Sequence, residues 1–517
     1  MTDFDRLDAV YPLPLDELPR QWVLGQEAGE LPPEWERREL NGWTLAAHPL
    51  AYLARLETRD GRHIGWVLEA MLHTDADGAR VPGEAVRIDI GDGELSEAKL
   101  EKALYGRDEM GWTDGTGLEG YWIAIVLVGS LQRVYLSANN STMYDAAKRR
   151  VATSHNLLQP FERDLELSRA FDPLETLGYY SFGLTAFKGV KRLLPNHYLD
   201  LTTFEPVRHW PKTAPRREEG GAVAGRIIEH GQRVTAAIAA HEDKAEIPLS
   251  AGNDSRAVLA SARKLIEQGD TKFRAFTSVG KDFDTRIDVQ GATKVARIAG
   301  VEHEIRQRAR HEKAPLEKVM RLFARIGEAK SGPSLSTPRL LASLDDPDAV
   351  PEQNLSLAGM GGEVGRASYY GSGVEENVQP EELLRRLGAP VIPRTVEAAR
   401  RWLDGIPGFF RRDPHNVLDL AAVEQRLGCW EANSRYVWPG RPKVFSFMLS
   451  AVFIEGVFQT PVDYRRSGRI QRDMIAHGWP ELLAVPINGA TGMLALEHRA
   501  RVFLKPVKDR VFAALGR

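Results

Sequence analysis

Between residues 245 and 305 short apolar runs alternate with amphipathic stretches, a rhythm that few folds accept. Ala245–Leu249 predicts a strand, and Ser255–Gln268 a helix with Val258, Ala262, Leu265 and Ile266 along one side. Lys272–Ser278 predicts a second strand. Arg286–Ala299 predicts a second helix, with Val289, Ala292, Val295, Ala296 and Ala299 inward and Gly300 at its end. Val301–Ile305 supplies a third strand. Strands and helices in strict alternation argue for a parallel sheet covered by helices, an α/β fold.

The turn after the first strand carries the chemistry. It reads Ser250-Ala251-Gly252-Asn253-Asp254-Ser255, followed by Arg256. Gly252 lets backbone approach an anion closely, and Ser250 and Ser255 offer hydroxyl donors. The free amides of the following helix add partial positive charge, which makes a phosphate seat. Asp254 is out of place beside phosphates unless a divalent cation separates the charges, as oxygen-ligated Mg²⁺ does. A capped helix start with nothing bound would use the same Asn, Asp and Ser residues. A Gly-Lys-Ser/Thr phosphate loop and a GxGxxG turn are both absent, so kinase and dehydrogenase readings lose their support.

Ser250–Ser255 resembles the Ser-Gly-Gly-x-Asp-Ser loop of the N-type ATP pyrophosphatases, with Ala251 in place of the first glycine. The resemblance extends to the asparagine synthetase-like family. Phe187–Leu199 (FKGVKRLLPNHYL) with His209-Trp210 is similar to the stretch that closes that family's glutaminase-like domain. Phe276–His303 resembles its second βαβ unit, with Asp288 at an acidic position and Thr277 beside the nucleotide. Leu357-Ala358-Gly359-Met360-Gly361-Gly362-Glu363 resembles its Gly-rich acidic loop, with Glu363 where the family has Asp.

That resemblance implies an N-terminal Ntn-like αββα sandwich over residues 1–210 and a linker at 211–221. Residues 222–517 would then form an adenine-nucleotide α-hydrolase-like parallel sheet with a helical extension. It implies ATP and Mg²⁺ as cofactors, with Ser250, Ala251, Gly252, Asn253, Asp254, Ser255, Thr277, Gly359 and Gly361 around the nucleotide. Asp254 and Glu363 would hold the metal, and Asp254, Glu363 and Arg256 would serve catalysis. Arg366 is a further candidate for binding a carboxylate or phosphate. Lys443, Lys505 and Lys508 are candidates for the lysine that the family sets against its transition state. Met360 stands where β-lactam synthetases place a tyrosine that helps deprotonate the amine, and methionine cannot do that.

The amino terminus departs from the family. Glutamine-hydrolysing members carry Cys directly after the initiator Met, whereas Thr2 follows Met1 here and the one cysteine is Cys429. The first half therefore reads as a degenerate glutaminase. It reads mainly as β in Trp43–Leu56, Arg62–Met71, Tyr121–Val128 and Gln132–Ser137, separated by turns such as Asp60-Gly61 and Asp92-Gly93, with helix an alternative for the first segment because its alternation is imperfect. A relative without its glutaminase can use an amine already present on the substrate, as β-lactam synthetases and lasso-peptide cyclases do. The expected activity is an AMP-forming amide ligase acting on a small molecule or peptide that carries a carboxylate and an amine. Amidation of a surface-glycan sugar with external ammonia, and an inactive scaffold, are the alternatives.

Composition narrows the partners. A net charge of −3 argues against nucleic acid as a general partner, although a local basic groove is compatible with that average. One cysteine permits no internal disulfide and no thiolate metal cage, which suits a reducing cytoplasm. No apolar run approaches the ~20 residues that span a bilayer. The resemblance leaves room for a homodimer. The scattered histidines show no HExxH spacing, and His303 reads as a core or strand-end residue. Trp430, Trp438 and Trp479 read as packing groups, and Arg465-Arg466-Ser467-Gly468-Arg469 as a solvated face.

Overall fold

Five parallel strands form the centre of the second half in the computed structural model of the chain. In sheet order they are Glu302–Gln307, Phe273–Val279, Ala245–Pro248, Leu355–Leu357 and Val444–Phe445. The structure describes residues 13–497 apart from 14, 16–17, 19, 28, 30, 76–77, 91–93, 172–178, 281–282, 308–353, 372, 433–442, 491–493 and 496. Thr2, Trp438, Lys505 and Lys508 lie outside the described residues.

The first three strands in sequence follow the expected rhythm, and their edges shift for local reasons. The helix expected from Ser255 begins at Asn253 and is interrupted at Ala262, so that Asn253–Ser261 is followed by Arg263–Glu267. It starts early because Gly252, extended at ψ 175°, takes the cap position, leaving Asp254 in the first turn where the helix dipole favours a negative charge. It breaks because the Ser261 hydroxyl bonds back to the Val258 carbonyl at 2.7 Å and meets Thr235 Oγ1 at 3.0 Å, competing with the helical ladder. The second helix runs Phe283–Ala299, with Ala292, Val295, Ala296 and Ala299 buried as expected, and Ile287 with them.

The first half is a stack of two sheets. One has six antiparallel strands, among them Trp22–Gly25, Trp43–Ala47 and Arg150–Ala152. The other has eight, with His63–Asp75 and Gly117–Val128 at its middle. Trp43–Leu56 is thus two strands in two different sheets, since the turn at His48–Tyr52 carries the chain across. Trp22, Trp43, Trp66, Ile123 and Leu136 fill the space between the sheets. Leu100 and Leu104 of the helix Glu97–Tyr105 cover the outer face of the larger sheet. Leu157, Leu158 and Leu167 of shorter helical turns cover the other. The order of layers is helix, sheet, sheet, helix, with thin helical layers.

The halves are joined by buried polar groups. Glu424 is fully buried and takes both Arg208 guanidinium nitrogens, at 2.6 and 2.9 Å, with Asn196 Nδ2 at 3.0 Å and Trp402 Nε1 at 2.7 Å. Burial pushes its carboxyl up, but the Arg208 charge and these donors outweigh that and hold it below the usual value. Arg107 Nε reaches Glu455 at 2.7 Å in a second such contact, both side chains almost wholly buried. Asn196, His209 and Trp210, singled out in the sequence, lie at this seam, where Asn196 O accepts the backbone amide of His209 at 2.9 Å. The expected linker is tied down as well. Arg217 donates to the Phe458 and Thr460 carbonyls, and Glu219 caps the helix Gly220–Ala239 through Gly221 N and Ala222 N. Arg465 corrects one expectation. It is not part of a solvated face but is buried, paired with Asp419.

No helix among the described residues is long and apolar enough to cross a membrane. Removing Glu424 strands the Arg208 charge inside the seam, so Glu424→Ala should cost ~3–5 kcal/mol in equilibrium urea unfolding. A loss below ~1 kcal/mol would show that the seam does not hold the halves together.

Candidate active site

The Ser250–Ser255 turn leaves the carboxyl end of the central strand Ala245–Pro248, where ligands gather in open parallel sheets. Its shape is fixed from within. Ser255 Oγ accepts the Ser250 amide at 3.0 Å, and Ser250 Oγ accepts the Gly252 amide at 3.1 Å. The two hydroxyl oxygens are 3.0 Å apart. Asp288, on the second helix, accepts the Ala251 amide at 2.9 Å. Gly252 provides no side-chain cap hydrogen bond to the start of the helix. Ser250, Gly252, Asn253 and Asp254 stay partly open to solvent, while Ala251 and Ser255 are buried.

Ala251 is accommodated by a glycine elsewhere. Its methyl group faces Gly291 on the second helix, where an added Cβ would come within 2.7 Å of it. The bulk gained at 251 thus meets a position that has none.

Arg256 does not face the solvent side of the turn. Its guanidinium is buried and donates to the carbonyls of Ala251 at 2.9 Å, Leu482 at 3.1 Å, Val485 at 2.6 Å and Pro486 at 3.4 Å. It bolts the turn to the segment 482–488, and Asn488 N adds a bond to Ala251 O at 2.9 Å. Burial lowers its pKa to about 10, so it remains charged at neutral pH. Direct contact with a reacting group is ruled out by these partners. What Arg256 supplies is a positive charge beneath the turn.

Thr277 supports the turn from the neighbouring strand, donating to Leu249 O at 2.8 Å. With that proton committed, Thr277 Oγ1 accepts from His303 Nε2 at 2.8 Å, and His303 Nδ1 accepts from Thr293 Oγ1 at 3.2 Å. Burial lowers the His303 pKa, which favours the neutral imidazole in this chain. His303 props the turn through Thr277.

Asp254 and the Gly-rich acidic loop come together. A Cβ on Gly359 would lie 2.8 Å from Asp254 Cβ, and one on Gly362 would lie 2.7 Å from Asp254 Oδ1. Glycines at these places let the loop close against the carboxylate. Arg366 meets Asp254 Oδ2 at 3.0 Å, whereas Asp254 Oδ1 is buried with no hydrogen-bond partner. Glu363 Oε2 accepts the Gly361 amide at 3.1 Å and stands near enough to act on the Asp254 charge. Burial raises the Asp254 pKa to about 6, Arg366 pulls it back, and Glu363 adds to the rise.

The bare Asp254 Oδ1 is the kind of oxygen that Mg²⁺ takes as a ligand. Among the described residues no group of three or more His, Cys, Asp or Glu side chains forms a metal cage. Mg²⁺ needs none, since one or two carboxylates together with substrate phosphates and water complete its shell.

Met360 turns towards the first half, where Asn139 Nδ2 lies 3.2 Å from its sulfur. Lys443 precedes the strand Val444–Phe445, at the edge of the sheet opposite the turn, and pairs with Glu242 at 2.8 Å. It takes no part in the site. Trp479 is buried packing, as read from the sequence. Trp430 is half-buried, with the Arg426 guanidinium 3.6 Å from its ring centre. Sequence reasoning passed over Arg426, whose one signal was its spacing of four residues from a tryptophan.

No protein-family model matches the chain, and no curated protein matches it. Among solved structures it is similar to the glutamine-dependent NAD⁺ synthetase of Acinetobacter baumannii in complex with adenosine diphosphate. The identity is 11% and the TM-score 0.17, over 71% of this chain and 69% of that one. A likeness at that level carries no argument, and the functional reading rests on the geometry above.

Two outcomes follow from this geometry. Gly291→Ala should cost ~1–3 kcal/mol by overpacking against Ala251, and Ala251→Gly in the same chain should recover most of it in urea unfolding. In metal- and nucleotide-free protein, the raised Asp254 pKa means that the folded state binds this proton more tightly than the unfolded state. Its contribution to stability is fully present below about pH 4, the unfolded value, and is lost as pH rises through about 6. Asp254→Asn should therefore raise the melting temperature at pH 7.5 and leave it nearly unchanged at pH 4. Equal shifts at both pH values would refute the burial argument.

Proposed function

We propose that the chain is an ATP-dependent carbon–nitrogen ligase that adenylates a substrate carboxylate, releases pyrophosphate, and passes the acyl group to an amine. The observation that carries this reading is the bare Asp254 Oδ1, buried at an uncapped helix start beside Glu363. A carboxylate left in that position is unfavourable in the resting protein unless a cation is to meet it.

Each part of the site has a task in this reaction. Ser250, Gly252, Asn253 and the first amides of the Asn253–Ser261 helix surround the departing phosphates. The Arg256 charge beneath them favours the same anion without touching it. Asp254 and Glu363 would hold Mg²⁺, which supplies charge neutralisation for phosphate oxygens when bound. Arg366 is half-exposed and, among the described residues, paired with Asp254, so it can turn towards an incoming carboxylate or phosphate once another cation occupies that place. The Gly359–Gly362 loop fixes the distance between the two acidic groups.

The amine is expected to come with the substrate. Holding it beside the activated carboxyl makes its attack effectively unimolecular. Candidate substrates are peptides or small metabolites that carry both groups, in cyclisations of natural-product type. The amino-terminal half has a structural task in this scheme.

Carboxylate-dependent exchange of labelled pyrophosphate into ATP tests the reading without knowledge of the amine. Candidate acids with Mg²⁺ should give exchange, and Asp254→Asn or Glu363→Gln should lower it on the order of 10²-fold or more. Release of ADP and phosphate in place of AMP and pyrophosphate would sink the proposal.

A further inference from the structure

Beside the Gly-rich acidic loop the surface opens into a cavity of about 500 Å³. Glu363, Arg366, Arg426 and Trp430 line it, with Tyr369 and Arg386 among the other lining groups. Its volume suits a small organic molecule. Its charge is uneven. Arg366 faces Asp254, and Arg385 and Arg386 share Glu382. Arg386 is further held by the carbonyls of Tyr369, Tyr370 and Gly373, so it is part of the wall. Arg426 has no carboxylate partner among the described residues and is stacked face-on over Trp430. Stacking occupies the face of a guanidinium and leaves its edge donors available for a planar anion.

The backbone beneath these two side chains is unusual. Ala422–Glu431 is a ten-residue π-helix. Such helices are rare and occur mostly as single turns, frequently at functional sites. Here it meets two demands at once. Glu424 and Gln425 are buried at the seam, with Glu424 on Arg208 and Gln425 on the Phe182 amide at 2.7 Å, while Arg426 and Trp430 stay half-open to the cavity. A rigid buried anchor therefore holds Arg426 in place.

We propose that this cavity binds the acid substrate and that Arg426, over Trp430, receives a second carboxylate on it, distinct from the one that reacts. The inference rests on the ligase reading above, because the reacting carboxylate belongs at the Asp254 end. The substrate class is then a dicarboxylic acid, or an acid bearing a further free carboxylate at the far end of a short chain. The planar fork of the Arg426 guanidinium, with no carboxylate on it among the described residues, matches a carboxylate. Arg426 is a specificity-determining residue in this scheme.

Calorimetric titration of the full chain, with Mg²⁺ and a non-hydrolysable ATP analogue, compares glutarate with its monomethyl ester. Glutarate should bind at least roughly tenfold more tightly. Arg426→Gln should remove that preference while leaving nucleotide binding within about twofold, and Arg426→Lys should keep part of it. In the unaltered chain the preference should also shrink with added salt, a reading that needs no variant to fold. Equal binding of the two probes, no glutarate binding, or a preference that survives Arg426→Gln or high salt would overturn the proposal. In the unaltered chain, equal binding of the two probes with nucleotide binding intact overturns the cavity assignment alone. Absence of nucleotide binding with the preference intact overturns the ligase reading instead.

Discussion

Asp254 is the group to which the rest of the site is adjusted. It lies in the first turn of a helix that has no capping side chain, partly desolvated, with one oxygen on Arg366 and the other bare. A helix start tolerates a negative charge, but tolerance alone does not account for burying one against a glycine-lined loop. Larger residues at 359 or 362 would collide with this side chain. The central strand, the turn, the second helix and the acidic loop all converge on that one carboxylate.

Much of this was legible in the sequence because it is local. Alternation of apolar and amphipathic segments gave the order of strands and helices around Ala245–Gln307, and small residues between a strand and a helix marked the turn. What escaped was set by partners far away in the chain. Arg256 reads as an anion-binding residue because it follows the turn, yet its side chain points inward to carbonyls more than two hundred residues later. Arg465 reads as a surface base within a basic run, but its counter-ion Asp419 sits on another helix. Trp43–Leu56 reads as one strand because both pieces are apolar, and only the two-sheet arrangement separates them. Arg426 carries no local signal beyond Trp430, and its meaning depends on a cavity wall made from three separate segments.

The first half of the chain, read as a glutaminase relic, is too firmly joined to be a passive appendage. Its contacts fall on residues that shape the site. Asn139 touches Met360 inside the acidic loop, and Asn196 and Arg208 hold Glu424 at the base of the π-helix. Buried charges gain little by being buried, but once paired they define one arrangement, because any other would leave them unsatisfied. In the ligase reading proposed above, the first half fixes the wall against which a substrate is held.

The same reasoning bears on the two departures from the family's loop. Ala251 in place of glycine would be damage if the turn met an unchanged neighbour, but Gly291 lies directly across from it. Glu363 in place of aspartate is longer by one methylene, yet its carboxylate is oriented by the Gly361 amide and stays close enough to raise the pKa of Asp254. An inert scaffold has no cause to keep two carboxylates in mutual repulsion or a charged arginine beneath an open turn, since replacing either with neutral groups would stabilise it. Strain kept at Asp254, with Gly291 making room for Ala251 beside it, is what the ligase reading proposed above expects of this turn.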